Sequence, residues 1–340
     1  CMTALARGIP EAHAGPVAIE IASKCLSMPE NKSQMKVIYV LLVLSTKRPQ
    51  VQAQLLHGPT MNYACHLLQH YVKPDVLRKH NAANNDMFDY ALEYCHNMIQ
   101  LHIEHVPEYQ EMWNKETVAY FYKPETSVAL LNILLHGKIE LKILAIKVML
   151  AGLKQPPLNG RSFRSSLFEA FDTEKSENVA SALFDSINET SKFLSDQIQP
   201  GKVFQHYFSE AIDLLLQLMS DDRMAACIMN KAKQHPDHFP CNLLASPSFK
   251  LLDGLYRLDD VNHLAKKVLE VCKRLVCDAD IQQLWAVDRE KFVEYANQGE
   301  FEICGRADEI LGKIRSVASD IESYSYEMQF ANAFTNSLID

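Results

Sequence analysis

An all-α fold follows from three observations on the 340-residue chain. Glycine is scarce: eleven residues, about half of ordinary usage, whereas sheet proteins and phosphate-binding enzymes need glycine for turns and close backbone approach. Apolar residues recur at spacings of three and four, and almost no segment alternates in twos. The order of long apolar helix, short break, short helix and second apolar helix also returns along the chain, the mark of stacked supersecondary units. At this length the chain outgrows one compact core, so several domains or a repeat architecture are expected.

Taken in order, the apolar period predicts helices over 16–28, 32–46, 49–57 with Pro49 at its head, and 59–72 after Gly58. Helices follow over 86–105, 107–122 from Pro107, and 124–136 and 138–154 on either side of Gly137. The stretch Gln155–Ser176, QPPLNGRSFRSSLFEAFDTEKS, interrupts the period; it carries a short helix over 162–170 and leads into a long one over 175–198. Beyond it helices are expected over 202–219, 221–233, 246–257, 259–277, 278–298, 303–322 and 325–338. The helix over 259–277 is the plainest case. Val261, Leu264, Ala265, Val268, Leu269, Cys272, Leu275 and Val276 form one face, and Asn262, Lys266, Glu270, Lys273 and Arg274 the other. The expected organisation is N-terminal helical repeats over 1–155, an irregular insertion or boundary over 156–201, and C-terminal helical repeats over 202–340, together one continuous solenoid.

Internal repetition is read from aligned residues. Met35–Val72 is matched by the segment around Pro107, Tyr109 and Trp113, which fall where Pro49, Val51 and Leu55 fell, each pair 58 apart (107 − 49, 109 − 51 and 113 − 55). Weaker echoes lie in EAIDLLLQLMSDDRMAACIMNKAKQ and KKVLEVCKRLVCDADIQQLWAV.

Charge and cysteine content narrow the function. A net charge of −8 argues against a general nucleic-acid or anionic-membrane binder, which would need Lys and Arg to neutralise phosphates. Nine cysteines, odd in number, scattered and without a C-x-x-C pair, read as reduced thiols of a cytoplasmic or nuclear protein. The longest apolar run, Val37–Leu44, is far short of the ~20 residues that span a bilayer, so no membrane insertion is expected. Because the chain starts at Cys1 rather than Met, a fragment or processed form is expected.

Two stretches raise the question of a metal. In CHNMIQLHIEH, Cys95, Met98, His102 and His105 share one helical stripe. Cys95 and His105 lie about 15 Å apart along the axis, too far to ligate one ion. The stripe therefore reads as buried, with hydrogen-bonded histidines, and CHLLQH at Cys65–His70 reads alike. In HPDHFPC, His235, His238 and Cys241 are spaced three apart on a proline-bearing loop, a weak metal candidate without an evident fourth ligand. No cofactor is expected. Neither G-x-S-x-G, G-x-G-x-x-G nor G-x-x-x-x-G-K-[ST] occurs, and a non-catalytic chain is expected. RSFRSS, Arg161–Ser166, reads as a solvated basic loop.

Met35–Val72 and Thr126–Gln155 resemble armadillo and HEAT-type repeats: a two-helix hairpin turning near Gly58 or Gly137, then a long third helix. The resemblance implies a right-handed armadillo/HEAT-like α-solenoid whose third helices line a concave groove. It departs from the nuclear-import receptors of that family, whose groove carries a W-x-x-x-N array, since Trp113 and Trp285 are followed by Thr117 and Arg289. On this resemblance the groove candidates are four polar ridges. They are Glu93, Asn97, Gln100 and Glu104; Glu140, Lys147 and Lys154; Asp213 and Gln217; and Lys266, Glu270 and Lys273. The expected function is a non-catalytic scaffold or adaptor binding a protein or peptide partner. The alternatives are a regulatory subunit or helical domain of a larger enzyme and a metal-stabilised helical module.

Overall fold

The structure, a computed structural model, describes residues 10–26, 60–83, 87–104, 121–155, 162–169, 179–197, 200–235, 238–240 and 264–276, with isolated positions at 8, 157, 242–243, 246 and 248. Every regular element among the described residues is an α-helix. They are α1 (Glu11–Leu26), α2 (Thr60–Tyr71), α3 (Pro74–Ala83), α4 (Met87–Glu104), α5 (Pro124–His136), α6 (Ile139–Leu153), α7 (Phe163–Glu169), α8 (Val179–Ser195), α9 (Lys202–Leu218), α10 (Asp222–Gln234) and α11 (Leu264–Val276). The expected helices over 32–46, 49–57, 107–122, 246–257, 278–298, 303–322 and 325–338 lie outside the described residues but for a few end positions. So do the residues matched between Pro49–Leu55 and Pro107–Trp113.

Local chemistry sets the boundaries. Pro124 occupies the first turn of α5, where an N–H would lack a partner in any case, and Glu125 complements the positive end of the helix dipole. The helix ends at Gly137, whose N–H bonds to Ile133 O at 2.8 Å. A Cβ at Gly137 would lie 2.6 Å from that same oxygen, so the tight turn into α6 requires glycine. Asp221 caps α10, accepting from the N–H groups of Arg223 and Met224 at 3.2 and 3.3 Å. Ser162 does the same for α7 through Ser165 N at 3.0 Å, so the described part of RSFRSS, 162–166, opens a helix with Ser166 buried, where a solvated loop was expected.

Two elements depart from the expected pattern. The stretch α3 carries no expected helix, because its sequence PDVLRKHNAA is short and mostly polar; among its described side chains Leu77 is the fully buried one. It starts on Pro74 and Asp75, and Leu77 N bonds to Lys73 O at 2.9 Å. Helix α1 begins at Glu11 and passes through Pro16 rather than starting there.

The chain forms two compact units, Cys1–Leu183 and Phe184–Asp340. The division falls inside α8, within the 156–201 stretch expected to interrupt the repeats. In the first unit α4 packs on both α2 and α6, while α5 packs on α2, α3, α6 and α7, and α1 packs on α2. Leu67, Leu68, Leu92, Leu131, Ile133, Leu141, Ile146 and Met149 fill that interior. Gln69 Nε2 donates to Thr126 Oγ1 at 2.8 Å and Asn132 Nδ2 to Val72 O at 3.2 Å, fixing α2 against α5. A buried hydrogen bond of 2.9 Å between the Ser127 and Ser166 hydroxyls joins α5 to α7.

In the second unit α9 packs on α11 around Tyr207, Phe208, Ile212, Leu215, Val268 and Leu275. The polar bonds across this pair share one register. Lys267 Nζ donates to Ser209 Oγ, and Arg274 to Leu216 O, both across 58 residues, so the two helices run in the same direction. Helix α8 is buried through small polar residues that satisfy themselves locally. Thr190 and Ser191 donate back to Ser186 O and Ile187 O at 2.7 Å, and Ser186 meets Tyr207 OH at 2.7 Å.

Candidate partner-binding surface

Helix α6 is apolar on nearly every side, IELKILAIKVMLAGL, which is the pattern of a helix packed all round. Leu141, Lys142, Ile143, Ala145, Ile146, Val148, Met149, Ala151 and Gly152 are buried. A narrow strip stays open. Glu140 and Lys154 are exposed and Lys147 is half-buried, and their spacing of seven residues keeps them on one line along the axis, two turns apart.

A second helix borders the strip. Lys138, just before α6, lies 3.2 Å from Asp89 on α4, with both side chains largely covered. One turn further along α4, Glu93 is exposed and sits within the field of Lys147. Partial burial against α6 and the neighbouring Asp89 carboxylate lift the Glu93 carboxyl above the ordinary glutamate range, and Lys147 opposes that rise. Asn97, a turn beyond Glu93, is half-buried. The resulting edge is mixed in sign: Glu140, then Lys147 acting on Glu93, then Lys154.

The other ridges stand differently. Asp213 on α9 faces Lys267 at 2.6 Å and is engaged within the fold. Gln217 is half-buried, and Glu270 is exposed with Arg274 at 3.5 Å. The side chains of Gln100, Glu104, Lys266 and Lys273 lie outside the described residues. Sequence reasoning did not single out Lys267, which bridges α11 to α9; its position between the apolar and polar faces was the available signal.

Of the histidine and cysteine stretches, the side chains of Met98, His102 and His105 lie outside the described residues, while Cys95, His235 and His238 are placed. Cys95 on α4 is fully buried, as is Cys65 on the neighbouring α2. The influence of Cys65 and burial push the Cys95 thiol well above its ordinary value. His235 and His238 stack face to face, centroids 4.4 Å apart and 11° from parallel. Imidazole lone pairs lie in the ring plane, so stacked rings do not converge on one ion. His238 Nε2 instead lies 3.5 Å from Lys192 Nζ; the Cys241 side chain lies outside the described residues. Among the described residues no group of three His, Cys, Asp or Glu side chains is gathered for a metal, and no helix is long and apolar enough to cross a membrane.

No protein-family model, curated protein or solved structure matches the chain. The functional reading therefore rests on its own residues.

Proposed function

We propose that this protein is a non-catalytic interaction scaffold, a right-handed armadillo/HEAT-like solenoid of the cytoplasm or nucleus. Its partner is a protein segment lying across the edge formed by α6 and α4. The observation that carries the reading is the strip itself: Glu140, Lys147 and Lys154 remain open on a helix whose other faces are packed. The open polar positions of this helix keep to one line, Lys142 being buried, and mixed signs along a line favour register and on-rate over raw affinity. The stacking is supported by same-direction packing of α9 on α11 across 58 residues, as expected where each unit buries its apolar face against the next.

The test joins amine-reactive crosslinking to a charge reversal. Crosslinks from Lys147 and Lys154 to a partner are expected in the native chain. Glu140→Lys, Lys147→Glu and Lys154→Glu, combined with Glu93→Lys to keep the local pair, should abolish them and lower partner recovery at least tenfold. Lys79→Glu with Glu125→Lys, exposed residues on α3 and α5, should leave recovery unchanged. Equal recovery from both variants overturns the assignment.

A further inference from the structure

The open line along α6 is symmetric about its middle residue. Lys147 is half-buried, and seven residues to either side of it stand Glu140 and Lys154, both exposed and opposite in charge. Three residues to either side stand Leu144 and Leu150, both half-buried. The order along the line is thus acid, leucine, lysine, leucine, base, over about 21 Å of helix axis. Taken from its other end, the end charges exchange while the leucines and the central lysine keep their places. Among the described residues no ion pair engages Glu140 or Lys154. A patch that complements itself on reversal meets the requirement of an isologous two-fold contact, in which each residue finds its match on the same patch of the other copy.

Taking the α6–α4 edge as the partner surface, a reading on which this step rests, we propose that its occupant is the same edge of a second copy of this chain, the two α6 helices running antiparallel about a two-fold axis at Lys147. At that register, residues equidistant from Lys147 come level. Glu140 of each copy meets Lys154 of the other, so an ion pair closes each end. Leu144 of each lies level with Leu150 of the other, and apolar surface is covered between the pairs. The helix dipoles favour the same alignment, because each N-terminal end lies beside the other copy's C-terminal end. The two Lys147 ammoniums face each other at the axis, and the Glu93 carboxylate on which Lys147 acts in each copy balances the charge there. A parallel pairing would set Glu140 against Glu140 and Lys154 against Lys154, and like charges juxtaposed in this way reject it. One strip on one strip is small beside a standard interface, so the association is reversible and depends on concentration.

The test uses the whole chain. Sedimentation equilibrium should show the average mass rising from monomer toward dimer as concentration increases through the micromolar range. An amine-reactive crosslinker should give a Lys147–Lys147 linked peptide, which by necessity joins two copies. Glu140→Lys alone and Lys154→Glu alone should each weaken association at least tenfold, because the two-fold axis makes one substitution act at both ends. Mixed in equal amounts, the two variants should associate as tightly as the native chain, since each supplies the charge that the other lacks. The double variant, Glu140→Lys with Lys154→Glu, should likewise regain self-association. Each reversal also opposes the α6 dipole, but a folding defect is not repaired by mixing. A dimer indifferent to the reversals, or no recovery on mixing, overturns the proposal. A chain that stays monomeric while Lys147 and Lys154 crosslink to a different protein overturns self-pairing and leaves the edge as a partner surface. A strip that crosslinks to nothing overturns both readings.

Discussion

Lys267 on α11 sets its ammonium 2.6 Å from the Asp213 carboxylate of α9. The same nitrogen reaches Ser209 Oγ at 2.8 Å. The lysine is 15% exposed and the aspartate 41%, so the cation is largely withdrawn from water while its partner stays half solvated. That asymmetry sets the cost of removing either side. Lys267→Met should destabilise the protein by about 1 kcal/mol, the scale of a partly covered charge-assisted hydrogen bond. Asp213→Asn should cost less in urea unfolding, and the double variant should give a coupling of about 0.5–1 kcal/mol. Additive losses would show that the two charges do not hold α11 on α9.

Glu93 ties stability to pH in the opposite sense from an ordinary paired carboxylate. Its carboxyl is raised in the folded protein, so the folded state binds the proton more tightly than the unfolded one. By linkage, stability falls as pH rises from the ordinary glutamate value through the raised one, so the ionised Glu93 present at neutral pH leaves the fold less stable than its protonated form would. Glu93→Gln should therefore raise the melting temperature slightly at pH 7 and have little effect well below pH 4. Because the side chain is exposed at the surface, the gain stays within about 0.5 kcal/mol. A loss of stability at pH 7 would mean that attraction to Lys147 outweighs burial and Asp89.

Gly152 lies under the aromatic stack that closes α7 onto α6. A Cβ there would fall 2.6 Å from Phe163 Cδ1, and Phe163 is itself pinned against Phe121, rings 4.8 Å apart and 13° from parallel. Helix propensity favours Gly152→Ala by about 1 kcal/mol, but overpacking a filled core costs about 1–3 kcal/mol. Net destabilisation is expected, and it should shrink when Phe163→Leu opens the space. Thermal melts of the single and double variants decide which term prevails.

How much of this was legible in the sequence differs by kind of feature. Helix α5 is read to the residue because Pro124 and Gly137 punctuate it and the apolar period between them is unbroken. The α6 strip is also legible, since Glu140, Lys147 and Lys154 are the polar positions that recur every seventh residue. Helix α3 escaped because propensity and one buried leucine, rather than a periodic face, hold it. The placing of Cys95 against α2, the Lys267 bridge and the influence of Lys147 on Glu93 depend on which helix lies beside which. Amphipathic period fixes a helix's inward face but not the neighbour that covers it. Within the CHNMIQLHIEH stripe, burial of Cys95 follows from period, while its placing against α2 does not.

Tyr207 supplies a test at alkaline pH. Its hydroxyl is buried between α8 and α9 and hydrogen-bonds Ser186 at 2.7 Å. Burial pushes the phenol up to about 12, against the pull of the Ser186 and Thr190 hydroxyls. An unfolded tyrosine ionises near pH 10. Between those values the folded state holds a proton that the unfolded state has released, so stability is fully present below about pH 10 and is lost as pH rises toward about 12. Tyr207→Phe removes both the hydrogen bond and the titration. At neutral pH the variant should be less stable by about 1 kcal/mol. The difference should narrow above pH 10 and then reverse, because phenylalanine has no proton to lose. Urea midpoints of both proteins at pH 7, 9, 10.5 and 11.5 measure it, and comparing the pair cancels the ionisation of lysines and the other tyrosines. A difference that stays constant across this range would mean that the phenol gains solvent access before it ionises, and α8 would not be sealed against α9 at that ring.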